Sequence, residues 1–311
     1  MSKEIEDKLE TIPVVRNVLH FFKRIKLPWL EGLSLYDLLE IYIVGIIEGA
    51  VTYRAAAIAF SFFMALFPFA LFILNLIPYI PIEGFQADFM RFVEESVPPR
   101  TYDAIAVIIN DILNNSHSGL LSSGFLLSIF VMSNGLNSVL GGFETSHHVL
   151  VKRGFFRQYF VALALSLVLS FLLLFTVAII VIVEILIQTT SIQDVFSENI
   201  PLIVWSRYVF VMLMILVTSS IMLKFGTKHT GRRPFLSIGS VFTTVLIILS
   251  SYAFGIWAVK FSKYNELYGS IGTLLILMFY IWLNCVILLL GFELNEAINR
   301  LKKKNLFTQP S

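Results

Sequence analysis

Six stretches of this chain run predominantly apolar for about 20 residues or more, and that length constrains its fold more than any other feature. They are residues 55–77, 119–141, 158–187, 202–223, 236–259 and 269–292. A helix rises about 1.5 Å per residue, so about 20 residues cross a hydrocarbon layer about 30 Å thick. A soluble core rarely needs such runs. Composition agrees: 14% of the 311 residues are charged and 57% hydrophobic, against about 25% charged in an ordinary soluble domain. The reading is an all-α, polytopic membrane protein with six transmembrane helices.

Charge sets the predicted orientation. Of 23 Lys and Arg, 17 fall in the N-terminal tail, the 2–3 loop, the 4–5 loop and the C-terminal tail. Only four, Arg91, Arg100, Lys260 and Lys263, fall in the alternate loops. Cationic loops stay in the cytoplasm, so both termini are expected inside. The predicted division is a cytoplasmic region 1–53, a six-helix domain 54–298 and a basic cytoplasmic tail 299–311. Residues 36–50 are apolar but too short to span; they read as an interfacial amphipathic helix or as a helix packed on the bundle. Within the outer loop 82–118, Ile105, Ile108, Ile109 and Ile112 recur at helical spacing and predict short surface helices. No short apolar segment follows the polar N-terminus, so no cleavable signal peptide is expected.

Polar groups inside spans are rare and informative. Arg54 opens the first span and Glu293 closes the sixth; as neighbours they would pair at one depth. Glu184 and Arg207 suggest a second ion pair on the outer side. Such pairs either hold the structure or gate and line a pathway. Asn134 and Asn137 are three apart on span 2, with Ser61 on span 1 and Asn284 on span 6. Amides and hydroxyls of this kind bond across helices or converge on a polar cavity. Ser133-Asn134-Gly135 and Pro68 interrupt their spans, as broken helices do around transporter sites. Gly269, Ser270, Gly272 and Thr273 present small residues for close packing. Tyr264 and Tyr268 precede them, where interfacial aromatics are expected. Cys285, the single cysteine, reads as a buried structural thiol.

No phosphate-cradling Gly-x-x-x-x-Gly-Lys, His-Glu-x-x-His, Cys-x-x-Cys or Gly-x-Ser-x-Gly element occurs. The histidines, His20, His117, His147, His148 and His229, lack an acidic cluster in sequence. The expectation is a non-enzyme with no metal and no cofactor. Net charge is +2, too small to favour nucleic acid as a partner. Membrane lipids, and a lipid or small-molecule substrate, are the expected partners. Oligomeric state is not legible.

Three segments together carry a resemblance: YRAAAIAFSFFMALFPFALF at 53–72, YGSIGT at 268–273 and GFELNEAI at 291–298. The chain resembles the YihY/BrkB family of bacterial inner-membrane proteins over about residues 35–298. Members commonly read Gly-Ala-Glu where this chain has Gly291-Phe292-Glu293. The resemblance implies a multi-pass protein of the bacterial inner membrane, with envelope roles such as lipid or precursor movement. It also brings a ribonuclease label generally regarded as mistaken. Two functions follow as expectations: a transporter or envelope-lipid translocator, or a non-enzymatic envelope scaffold.

Overall fold

The computed structural model describes residues 34–76, 86–87, 90–91, 94, 106–107, 109–111, 118–146, 149, 152–188, 200–228, 234–261 and 270–308. Seven long helices organise them: α1 (Leu35–Glu48), α2 (Val51–Leu76), α3 (Ser118–Glu144), α4 (Phe155–Gln188), α5 (Ile200–Phe225), α6 (Ile238–Phe261) and α7 (Ser270–Thr308). By length and composition, five of these can cross a membrane: α2, α4, α5, α6 and α7. Of the other two, α1 has 14 residues, and α3 has 27 but Ser, Gly and Asn fill 13 of its positions. The chain is therefore an all-helical membrane protein with at least five helices of spanning character.

Each helix from α2 to α7 packs on the next in chain order, and α7 returns to α2. The ring closes because both end helices present apolar faces to the same core. Val51, Ala55, Ile58 and Ala59 of α2 meet Leu136, Val139, Leu140 and Phe143 of α3. Cys285, Leu289 and Phe292 of α7 complete that cluster, with Leu165 of α4 and Leu223 of α5. Outward positions such as Phe160, Phe171, Tyr252 and Leu275 stay exposed, as lipid-facing residues should when the solvent is hydrocarbon.

The segment at 36–50 packs on the bundle. Ser34 and Asp37 form a reciprocal capping box that starts α1. Leu38, Ile41 and Tyr42 then seat against Leu294, Ala297, Ile298 and Leu301 of α7. Gly49 and Ala50 make the tight turn into α2, with Ala50 at φ 48° in the left-handed region, at a cost of about 1–2 kcal/mol for an L-residue.

The sequence reading places a basic tail at 299–311, and helix continues through most of it. α7 runs unbroken for 39 residues through the segment taken as a basic tail. Leu301, buried against α1, explains the continuation. At 1.5 Å per residue α7 is roughly 58 Å long, about twice the hydrocarbon thickness. In the 82–118 loop, helical pieces are described at 106–107 and 109–111, with Ile109 buried; Ile105, Ile108 and Ile112 lie outside the described residues.

Candidate functional site

The GFELNEAI stretch of α7 is buried almost all round, because each of its faces meets a different partner. Gly291 and Asn295 face α6. A Cβ on Gly291 would lie 1.8 Å from Thr243 Oγ1 and 2.8 Å from the Gly239 carbonyl, so only glycine permits this approach. Asn295 Oδ1 accepts from Gly239 N–H at 2.8 Å, and its Nδ2 donates to Ser237 Oγ at 2.8 Å. The amide thereby satisfies an open donor at the start of α6. Leu294, Ala297 and Ile298 face α1. Phe292 stacks on Phe143 of α3 with ring centroids 4.3 Å apart. Phe292 thus fills the space between α3 and α7.

Glu293 takes the remaining face and is fully buried. Its Oε1 accepts from Arg54 Nη2 at 2.5 Å, and its Oε2 accepts from Ser146 Oγ at 2.8 Å. Arg54 Nη1 donates to the Gly142 carbonyl at 2.7 Å. One carboxylate and one guanidinium therefore tie the first turn of α2, the last turn of α3, Ser146 two residues beyond it, and α7. Carbonyls at the C-terminus of a helix carry partial negative charge and run short of backbone donors, as the Gly142 carbonyl does here. Arg54 meets that need, and Thr145 Oγ1 adds bonds to the Gly141 and Gly142 carbonyls. Gly49 is part of the fit: a Cβ there would sit 2.9 Å from Arg54 Nη2. Arg54 Nε is buried and has no hydrogen-bond partner among the described residues. Tyr42 of α1 completes the surround; burial, and secondly the Glu293 carboxylate, push its hydroxyl up to about 12, so it stays neutral.

A second knot lies alongside. Glu144, buried, accepts from the Arg153 backbone N–H at 3.2 and 3.3 Å and lies 3.8 Å from its guanidinium. That guanidinium also donates to the Gly226 and Phe225 carbonyls at 2.9 and 2.8 Å. It therefore caps α5 while joining it to α3. Burial lowers the Arg153 pKa and Arg157 adds to the effect, while Glu144 opposes both.

Of the residues expected from sequence, Arg54 and Glu293 come together. Ser61 shares a 2.8 Å hydrogen bond with Ser138 between α2 and α3. Asn137 Oδ1 accepts from Gln158 Nε2 of α4 at 3.0 Å. Asn284 Nδ2 turns back to the Tyr280 carbonyl of its own helix at 2.8 Å. Asn134 is exposed, and its side chain hydrogen-bonds to nothing among the described residues. These amides share no hydrogen bond with the Arg54–Glu293 layer. Glu184 lies in α4 and Arg207 in α5, but their side chains, and so the outer pair, lie outside the described residues, as do Gly269, Tyr264 and Tyr268.

Sequence reasoning passed over Glu144, Ser146, Arg153 and Asn295. Arg153 carried a signal only as a loop cation, and Asn295 only as a letter in the closing motif. Among the described residues no group of three or more His, Cys, Asp or Glu side chains is placed to hold a metal ion. The arrangement is a set of interhelical clamps.

A family model described as Virulence factor BrkB matches residues 43–310. A Bacillus subtilis protein named ribonuclease-like protein YfkH is 27% identical over 253 residues, covering 80% of this chain and 90% of that one. A UPF0761 membrane protein of Coxiella burnetii is 26% identical over 262 residues, covering 81% and 89%. No solved structure matches significantly.

Proposed function

The chain belongs to the Virulence factor BrkB family of membrane proteins, and from that premise we propose that it is a transporter or translocator of lipids or envelope precursors. In this reading it sits in the bacterial inner membrane with six spans and both termini inside. The Arg54–Glu293 layer is then its cytoplasmic gate.

The observation that carries the reading is the fully buried Glu293 shared by Arg54 and Ser146. A buried ion pair adds little stability over a well-packed apolar replacement. Ionisable groups within membrane helices are costly and mark pathways or relays. Here one carboxylate bridges two other chain segments, so a single change at Glu293 releases both contacts. The Phe143–Phe292 stack lies one residue away on each helix and seals the same level. In a gate, that combination gives a closed state with an electrostatic latch over an apolar plug.

The second reading, an envelope scaffold, is favoured by a different observation. Hydroxyl pairs join α2 to α3, α3 to α4, α5 to α6 and α6 to α7, which is what a permanently solid bundle requires.

Vesicle reconstitution separates the two. The purified chain in vesicles of mixed zwitterionic and anionic phospholipid should speed the movement of labelled lipid or solute above empty vesicles. Glu293→Gln, which keeps shape and removes charge, should change that rate. Wild-type rates equal to empty vesicles, across anionic lipids and common ions, would leave the scaffold. Tag-accessibility mapping that puts the termini on opposite sides would sink the topology.

A further inference from the structure

Asn134 stands out among the polar residues of the long helices because it is exposed and its side chain has no partner among the described residues. On α3 the buried positions Leu136, Val139, Leu140 and Phe143 face the core. Asn134 lies on the opposite side of the helix, in line with Leu127 and Phe130, which are 52% and 53% exposed, and with exposed Thr145. On the six-span reading proposed above, with Glu144 at the cytoplasmic edge of the second span, Asn134 lies ten residues in, about 15 Å along the axis and so about half-way through a 30 Å hydrocarbon layer. Its backbone carbonyl is used by Ser138 Oγ, but its side-chain amide has no partner among the described residues. Among the described residues its neighbours are turned to other partners: Ser138 bonds Ser61, and Asn137 bonds Gln158.

Lipid tails offer an amide nothing. A donor and acceptor left bare in hydrocarbon cost several kcal/mol, so something polar covers Asn134. Two features identify it. First, the groups around it, Ser61, Asn137, Ser138 and Gln158, are all neutral, and outward along the helix the stripe gives way to Phe130 and Leu127. A lipid phosphate held at this depth would call for a cation, and the polar stripe does not continue past Asn134 through those side chains. Second, an amide carries both donors and an acceptor and pairs with another amide. Copies inserted in one orientation relate by a two-fold axis along the membrane normal, which brings the same residue of each copy to the same depth. Gly141 and Ser138, small and half-buried on this side of α3, allow helices to approach closely.

We propose that the Asn134 face of α3 is a homodimer interface, in which Asn134 of one copy hydrogen-bonds Asn134 of a second copy near the middle of the membrane. The interface is independent of what, if anything, the bundle transports.

The test uses the full chain in native membranes and in vesicles. With Cys285→Ser as background, Asn134→Cys and Phe130→Cys should each give a disulfide-linked dimer under mild oxidation. Phe171→Cys, 66% exposed on α4, should not. Single-molecule photobleaching of labelled wild-type chain diluted in vesicles should show two-step bleaching, and Asn134→Leu should weaken association about ten-fold. If Asn134→Leu does not fold, the cysteine variants decide alone. Single-step bleaching of wild type at every density, or unchanged association in folded Asn134→Leu, would overturn the proposal and leave the amide to a lipid headgroup. Cross-linking as strong at Phe171→Cys as at Asn134→Cys would overturn it too.

Discussion

Arg54 and Glu293 join α2 to α7 with full charges, whereas Ser133 and Ser166 join α3 to α4 with two hydroxyls 3.0 Å apart. Both are buried polar contacts in a membrane bundle, yet their failure modes are opposite. Ser133 Oγ can also donate to the Ile129 carbonyl at 2.7 Å, and Ser166 Oγ to the Leu163 carbonyl at 2.8 Å. Ser219 and Thr244 repeat the pattern with Ile215 and Ser240. Each hydroxyl therefore has a local fallback on its own helix. Glu293 has none. If Arg54 leaves, a carboxylate with no exposure keeps only the Ser146 hydroxyl. The hydroxyl pairs set which helices touch at small cost, while the charged layer makes the end of the bundle all-or-none.

The largest expected effect breaks the charged side of this contrast. Glu293→Ala strands the Arg54 guanidinium and should destabilise the detergent-solubilised protein by about 3–5 kcal/mol, read as a lower midpoint in chemical unfolding. The double change Arg54→Met with Glu293→Leu removes both charges and should recover most of that loss. If the double variant is as unstable as Glu293→Ala, charge stranding is not the cause.

Backbone contact comes next. Gly291→Ala places a methyl against Thr243 Oγ1 and the Gly239 carbonyl. Overpacking of this kind costs about 1–3 kcal/mol. Thr243 Oγ1 is buried and has no partner among the described residues, so Thr243→Ala should relieve part of the strain without opening a new deficit. Thermal unfolding of the single and double variants measures the rescue. No rescue would place the clash wholly on the Gly239 carbonyl. A smaller loss, about 1 kcal/mol, is expected for Asn295→Leu, which uncaps the start of α6; hydrogen exchange should rise at Gly239 and Ser240 while the centre of α7 stays protected.

How much of this could be read from sequence depended on whether the signal was local. The all-helical type and the positions of the five spanning helices followed from run length, because hydrocarbon imposes about 20 apolar residues whatever the neighbours do. The Arg54–Glu293 pair was also legible, since two charges at span ends of similar depth have few other partners. Asn295 was not, because an amide capping another helix looks the same in sequence as one facing water. The continuation of α7 through 299–308 was hidden for a related reason: Lys302, Lys303 and Lys304 read as a solvated tail, while the deciding contact, Leu301 on α1, lies about 260 residues away in the chain. The clamp of Arg153 on α5 was masked by the residue's other role as a topogenic charge.

The smallest effect tests the hydroxyl side. Ser133→Ala and Ser166→Ala each remove one member of a buried pair, and each leaves the other its own-helix carbonyl. Interhelical hydrogen bonds in membrane proteins average about 0.6 kcal/mol in double-mutant cycles. The coupling between Ser133 and Ser166 should fall at or below that value. The Arg54–Glu293 cycle, measured in the same way, should show a coupling several times larger, because its single variants strand a charge and its double variant does not. Equal couplings in the two cycles would mean that water or lipid headgroups reach Glu293 once Arg54 is gone. The end of the bundle would then be graded rather than all-or-none, and the latch would lose its physical basis.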